Sequence, residues 1–209
     1  MQETILRGDI SRSFKVAVPV VVRPCAAVDL PRLEWCGLFT PHREIIRAAY
    51  EAQVRGEQLM LVADVNGFPI GQVWVDLFRK REESVGVIWA LRVVPFMQRL
   101  GLGTRLLAAA EGVLRRRRFK QAELGVEKSN PSAAKLYERL GYVRVGESQE
   151  EYSYKTPDGQ FFRVPQDLWV YRKTLAGRSR PSRRPREAAR GTRLQVSPDG
   201  QRRIGGSSA

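Results

Sequence analysis

The chain has 209 residues, 43% of them hydrophobic, with two cysteines, one histidine and a formal charge of +14 at pH 7. That length fits one domain of roughly 150 residues, which buries about 70% of its unfolded surface without disulfides or metals, plus an appendage. No apolar run approaches the roughly 18 residues of a membrane span, a single histidine excludes a His/Cys zinc cluster, and Cys25 and Cys36 read as free thiols of a reducing cytoplasm.

Residues 1–15 form a polar extension. The apolar stretch Val16–Val22 is short, contains Pro19 and is closed by Arg23-Pro24 without a small-residue cleavage signature, so it reads as a strand (Val18–Arg23) and not a signal peptide. Asp29 is placed to cap a short helix through Trp35. Thr40 and Pro41 make an N-cap and N1 pair for a helix to about Val54, which Gly56 ends. His42, beside that cap, reads as a surface residue before a catalytic one. Leu59–Val65 and Ile70–Phe78 flank Asn66-Gly67, a hairpin signal, and are predicted antiparallel. Val85–Val94 is almost continuously apolar, as a central strand covered on both faces would be.

Leu102, Leu106, Leu107, Ala110, Val113 and Leu114 recur at helical spacing. Arg115–Arg118 then fall in the last turn, where the helix dipole favours cations; a solvated helix end is preferred over a nucleic-acid patch. Gln121–Glu127 is the next strand. Asn130 and Pro131 cap a helix carrying Leu136, Tyr137 and Leu140, ended by Gly141, and Tyr142–Tyr154 and Phe161–Arg172 form a closing strand pair around Pro157-Asp158-Gly159. This order predicts a mixed α/β sheet over residues 16–175. Beyond it, residues 176–209 carry nine arginines against Glu187 and Asp199, a net +7 that is half of the excess charge. Rich in Arg, Pro, Ser and Gly, this basic tail buries too little surface to offset its ordering entropy and reads as disordered.

Two segments carry chemistry. In Val93–Thr104 a buried strand turns into an amphipathic helix through Gly101 and Gly103. The glycines let a ligand approach the backbone, and the helix start leaves N–H groups unpaired, which suits phosphate. No Lys-Ser/Thr follows, as a Walker A loop requires, and the third glycine of a dinucleotide fingerprint is missing. The second segment, Asn130-Pro131-Ser132-Ala133-Ala134-Lys135-Leu136-Tyr137-Glu138-Arg139-Leu140-Gly141-Tyr142, begins 27 residues after Gly103.

Together these segments resemble the GCN5-related N-acetyltransferase (GNAT) family, whose members pair a Gln/Arg-x-x-Gly-x-Gly/Ala loop with an Asn-x-x-Ala-x-x-Leu-Tyr-x-x-x-Gly-Phe/Tyr helix. The resemblance extends to Val22-Arg23-Pro24, Asp29-Leu30-Pro31 and Leu91-Arg92-Val93-Val94-Pro95, covering about residues 17–175. It implies an α/β fold with a mixed, mostly antiparallel central sheet, whose parallel strands 4 and 5 splay and are flanked by helices. It also implies acetyl-CoA as cosubstrate. Backbone amides of Gln98, Arg99, Leu100, Gly101, Leu102, Gly103 and Thr104 would hold the pyrophosphate, and Leu91 and Val93 would line the pantetheine, with an amide near Val93 on the thioester carbonyl. Asn130 would contact the cofactor arm.

Tyr137 would aim its hydroxyl at the sulfur; a tyrosine near pKa 10 donating to a thiolate near 8.5 works against about 2 kcal/mol. Many members carry an acid just ahead of the Leu-x-Val-x-Pro stretch, but this chain has Trp89-Ala90 there, which leaves Asp76, Glu83 and Glu151 as candidate bases. Trp74, Trp89 and Trp169 are core residues before they are pocket walls. The implied activity is acetyl transfer to a primary amine by direct attack in a ternary complex, by a cytoplasmic monomer or homodimer. The alternatives are a non-catalytic acyl-CoA sensor and a nucleic-acid- or ribosome-associated protein acting through the basic tail.

Overall fold

The computed structural model describes residues 17–156 and 158–175, all within the first of the two units into which the chain divides, Met1–Arg178. The predicted N-terminal extension, the basic tail and Pro157 of the closing turn lie outside the described residues.

Seven strands form one sheet in the order β1-β2-β3-β4-β5-β7-β6. They are β1 (Val21–Pro24), β2 (Gln58–Val65), β3 (Phe68–Asp76), β4 (Val85–Val93), β5 (Gln121–Glu127), β6 (Val143–Lys155) and β7 (Phe161–Thr174), with helices α1 (Arg43–Val54), α2 (Leu102–Arg116) and α3 (Pro131–Arg139). Every neighbouring pair is antiparallel except β4 and β5. This is the mixed sheet with one parallel pair that the sequence predicted.

Two local expectations are corrected. The helix expected over Asp29–Trp35 is a pair of 3-10 turns, Ala27–Asp29 and Arg32–Glu34: Pro31 lacks an N–H for a continuous helix, and Trp35 turns left-handed at φ 44. Thr40 does not cap α1, because its hydroxyl donates to Glu34 Oε2 at 2.7 Å and a 3-10 turn over Thr40–His42 precedes the helix.

Strand alternation sorts the core onto two faces. Leu61, Ala63, Val73 and Val75 pack under α2, whereas Met60, Val62 and Trp74 pack with Ile46 and Ala49 of α1. Leu106, Leu107 and Leu114 of α2 are fully buried, and each contributes about 1.5–3 kcal/mol of apolar transfer. The helix lies so close to β4 that a Cβ on Gly86 would stand 2.0 Å from Leu114 Cδ2. α3 joins the same face through Tyr137, Ala133, Ala134 and Leu140.

One ion cluster ties the start of the domain to the sheet. Arg23 donates to both oxygens of Asp29 at 2.6 and 2.8 Å and reaches Asp64 of β2. Asp29, with a side chain 0% exposed, also accepts the Ala26 N–H at 2.8 Å. The Arg23 guanidinium holds the Asp29 carboxyl below the usual carboxylate range, against the opposing effect of burial.

A depressed carboxylate pKa stabilises the fold above its unfolded value, and that stability is lost as pH falls through the folded value. Asp29→Asn is therefore expected to cost about 2–3 kcal/mol at pH 7, somewhat less than the 3–5 of a wholly buried pair because Arg23 is partly exposed. The gap to the parent protein should narrow below about pH 4. Denaturant titrations at pH 7 and pH 3 check this; an equal gap at both would remove Asp29 from the acid response.

Candidate active site

β4 and β5 pair only from Val85–Gln121 to Ile88–Leu124. Past that point β4 bulges: Trp89 lies opposite Trp74 and Arg92 opposite Gln72, so Ala90 and Leu91 together face Val73, and Ala90 adopts φ 51. Such a bulge bends its strand. β5 meanwhile runs on beside β7 as far as Glu127–Leu168, and a gap opens between the two parallel strands.

The gap is lined by main chain. Val94 N–H donates to Ile70 O at 2.9 Å, toward β3, so by strand alternation Val93 N–H looks into the gap. Gln98 Nε2 donates to Val93 O at 3.1 Å and ties the next loop to the strand. Contrary to expectation, the Gln98 amide is already used, on Pro95 O at 3.2 Å, and the next donor to a backbone carbonyl is Arg105, to Gly101 O at 3.1 Å. Between them the amides of Arg99, Leu100, Gly101, Leu102, Gly103 and Thr104 have no acceptor among the described residues.

Gly101 caps α2 at φ 79, a conformation that favours glycine. Gly103 differs: its backbone is ordinary, and a Cβ there would meet nothing within 4 Å. Among the described residues nothing requires glycine at this helix position, where alanine is better by about 1 kcal/mol. A row of free N–H groups at a helix start binds anions.

Asn130 is first a helix cap, its Oδ1 accepting the Ala133 N–H at 3.1 Å, while its amide nitrogen has no partner among the described residues. Tyr137 is buried on α3, with ring centroids 6.1 Å from Tyr142 and 6.4 Å from Tyr171. Burial pushes its phenol up to about 12, and its hydroxyl donates to no described residue.

The expected bases are not brought to the gap. Asp76 Oδ1 accepts the N–H groups of Phe78 and Arg79, both at 2.9 Å, opposite Val87 near the start of β4. Glu83 precedes β4 and lies 3.9 Å from Arg172. At strand rise, that end of β4 is roughly 25–30 Å from Val93. Glu151 sits on the outer hairpin, 3.8 Å from Arg163. The tryptophans are structural: Trp74 and Trp89 meet edge to face at 4.7 Å, and Trp169 lies between Lys128 and Arg144, 4.4 and 4.2 Å from its ring.

A second constellation, not legible in the sequence, lies on the α1 face. Since β5 pairs with β7 only from Leu168 on, the outer β6–β7 hairpin overhangs the end of β5. It packs against the Thr40–His42 turn, stacking Tyr154 on His42 at 5.2 Å with Tyr152 at 5.9 Å. Phe39 meets His42 edge to face at 5.6 Å and carries the Arg92 guanidinium 4.5 Å over its ring. His42, expected at the surface, is thus half-buried. Burial, with Arg92 nearby, pulls its imidazole below the ordinary value, and its Nδ1 is buried without a partner.

The arginine run ends α2 as anticipated. The helix stops at Arg116, Arg115 pairs with Glu111 at 2.8 Å, and Arg117 and Arg118 line, with Arg81, a cavity of about 330 Å³ at the far end of β4 from the gap. Among the described residues, no helix is long and apolar enough to cross a membrane.

Comparison with known proteins agrees with this architecture. The Acetyltransferase (GNAT) family matches residues 27–142, more than half of the chain. The catalytic subunit NAA10 of the N-terminal acetyltransferase A complex of Arabidopsis thaliana is 29% identical over 76% of this chain and 80% of its own. Mycothiol acetyltransferase of Geodermatophilus obscurus is 42% identical over 30% of this chain, a match spanning only 20% of that enzyme. Among solved structures, ribosomal-protein-alanine N-acetyltransferase from Brucella melitensis superposes with a TM-score of 0.59 at 21% identity, covering 74% of this chain and 99% of that one. yncA of Salmonella typhimurium, solved with its cofactor acetyl-CoA, gives 0.59 at 19% identity over 79% and 99%. The parting of β4 from β5, the glycine-started α2 and the match over residues 27–142 lead to one conclusion: the chain belongs to the GNAT acetyltransferase family and is an acyltransferase.

Proposed function

We propose that the protein transfers the acetyl group of acetyl-CoA to an amine that attacks the thioester directly. The carrying observation is the run of six unpartnered amides from Arg99 to Thr104 beside a glycine at 103 that nothing in the fold requires. The diphosphate lies on that run, and the pantetheine enters the gap along Leu91 and Val93, where the Val93 N–H meets the thioester oxygen. The Asn130 amide reaches the cofactor arm.

The gap has two mouths. Diphosphate and α3 take the α2 face, which leaves the α1 face, with Arg92, His42, Tyr152 and Tyr154, for the acceptor. Tyr137 donates a hydrogen bond to the departing sulfur. With its phenol near 12, complete transfer to a thiolate near 8.5 would cost about 5 kcal/mol, so the hydrogen bond and not a full proton transfer is its contribution in so dry a setting.

The ammonium proton goes to His42. An imidazole held below its ordinary value is neutral at pH 7 and so can accept a proton, as general-base action requires. Arg92, Tyr152 and Tyr154 are the ionisable groups facing it. A base outside β4 makes the missing acid at Ala90 compatible with turnover, so a sensor role is not required.

Gly103→Ala is expected to leave stability unchanged or raise it by about 0.5–1 kcal/mol while weakening acetyl-CoA at least tenfold in calorimetry; unchanged affinity would sink the diphosphate site. Tyr137→Phe should retain acetyl-CoA affinity and lose about 10–100-fold in kcat, the worth of one hydrogen bond to a charged group; an unaltered kcat rules out its role at the sulfur. The acid limb of kcat should have an apparent pKa below 6.5, because protonated His42 accepts nothing, and the limb should vanish in His42→Phe. Its survival there would assign it to another group.

A further inference from the structure

We infer that Arg92 determines acceptor specificity and that the acceptor is an amine bearing a carboxylate. This rests on the acetyl-transfer reading above and narrows its substrate class.

Arg92 immediately precedes Val93, the residue whose N–H looks into the gap. Its register partner is Gln72. Val93 turns toward α2, since it lies opposite Gly71, where a Cβ would stand 3.0 Å from Leu106 Cδ1. By alternation Arg92 turns to the α1 face, the mouth left for the acceptor.

A guanidinium has five N–H donors. Among the described residues, those of Arg92 make no hydrogen bond and no ion pair; the group lies over the Phe39 ring, 4.5 Å from its centroid. The other half-buried arginines behave differently. Arg23 pairs with Asp29 and Asp64, Arg115 with Glu111 and Arg172 with Glu123. Burial already draws the Arg92 guanidinium below its ordinary value, yet arginine stays charged at neutral pH. A half-buried cation without an anion is costly, and such charges are ordinarily paired.

Gln72, the cross-strand partner of Arg92, and His42 each carry a buried polar atom without a partner, Oε1 and Nδ1, so the interior beside this cation supplies it with no bond either. Arg92 itself is half-buried, and its nitrogens are not among the fully sealed unpartnered atoms. A carboxylate matches the guanidinium fork in two parallel bonds, and the aromatic rings of Phe39, Tyr152 and Tyr154 fit the apolar part of the same molecule.

The test measures kcat/KM with acetyl-CoA for matched acceptors. One arm sets free amino acids against their amides; the other sets peptides with a free amino terminus and Asp or Glu in the first three positions against their Asn or Gln counterparts. The acid member of at least one arm should be favoured tenfold or more, and the arm that responds tells whether the carboxylate comes from a free amino acid or a peptide. Arg92→Met should bring that ratio close to one while leaving acetyl-CoA affinity in calorimetry intact, and Arg92→Lys should restore part of it. Normal acetyl-CoA affinity with no acid preference in either arm, with no acid-bearing acceptor turned over, or with the preference unchanged in Arg92→Met overturns this inference alone. Absence of acetyl-CoA affinity in the parent protein overturns the acetyl-transfer reading, and this inference with it.

Discussion

The parting of two neighbouring parallel strands is the constraint from which the rest of the molecule follows. Hydrogen bonding between β4 and β5 stops after Ile88 and Leu124 although both strands continue. β5 is held by β7 on its other side to its last residue, and β4 is turned by the bulge at Ala90 and Leu91 against Val73. A left-handed alanine costs about 1–2 kcal/mol, and the strands give up several ladder bonds. In return two strand edges present unused main-chain groups to one gap. An uninterrupted sheet would have no place for a thin, extended ligand arm to enter it.

The two faces of that gap have different chemistry because the helices divide unevenly. α2 and α3 bring two helix starts to one face, and a helix start is a concentration of unpaired N–H groups with a positive dipole end. The α1 face receives side chains instead: the Thr40–His42 turn, held by the Glu34 bonds to Thr40 and to Arg43 at 2.7 and 2.6 Å, and the overhanging β6–β7 hairpin. Main-chain N–H groups suit phosphates, whereas the other face offers the more varied chemistry of side chains.

Polar satisfaction separates structural charges from functional ones. Glu123 is buried and paired with Lys80 and Arg172, both at 2.6 Å, and Glu111 with Arg115 and Lys173, both at 2.8 Å. Each carboxylate has both oxygens engaged by a cation. Around the bulge the accounts do not close: Arg92, Gln72 and His42 all retain hydrogen-bonding capacity. Unmet polar groups are rare in native interiors; besides Gln72 and His42, Gln58, Trp74, Trp89 and Tyr142 also carry a buried atom without a partner among the described residues.

Much of the fold was legible locally. Asn66-Gly67 made the β2–β3 hairpin, the apolar run Val85–Val94 made β4, and a helical stripe of leucines made α2, because turn chemistry and hydrophobic period act within a few residues of chain. The Gln98–Thr104 loop and the Asn130–Tyr142 segment, which carried the family resemblance, are likewise contiguous, since free backbone amides at a helix start need only a local turn. Asp76 and Glu83 looked suitable as bases only because sequence distance hides which end of a strand a residue occupies. The cluster on the α1 face was decided by tertiary structure: His42, Arg92 and Tyr154 lie 50 and 62 residues apart along the chain and meet only when the hairpin folds over the sheet. The chain alone determined where glycines start α2; only the folded sheet decided what faces that start across the gap, because burial and the loss of partners are properties of packing and not of residue type.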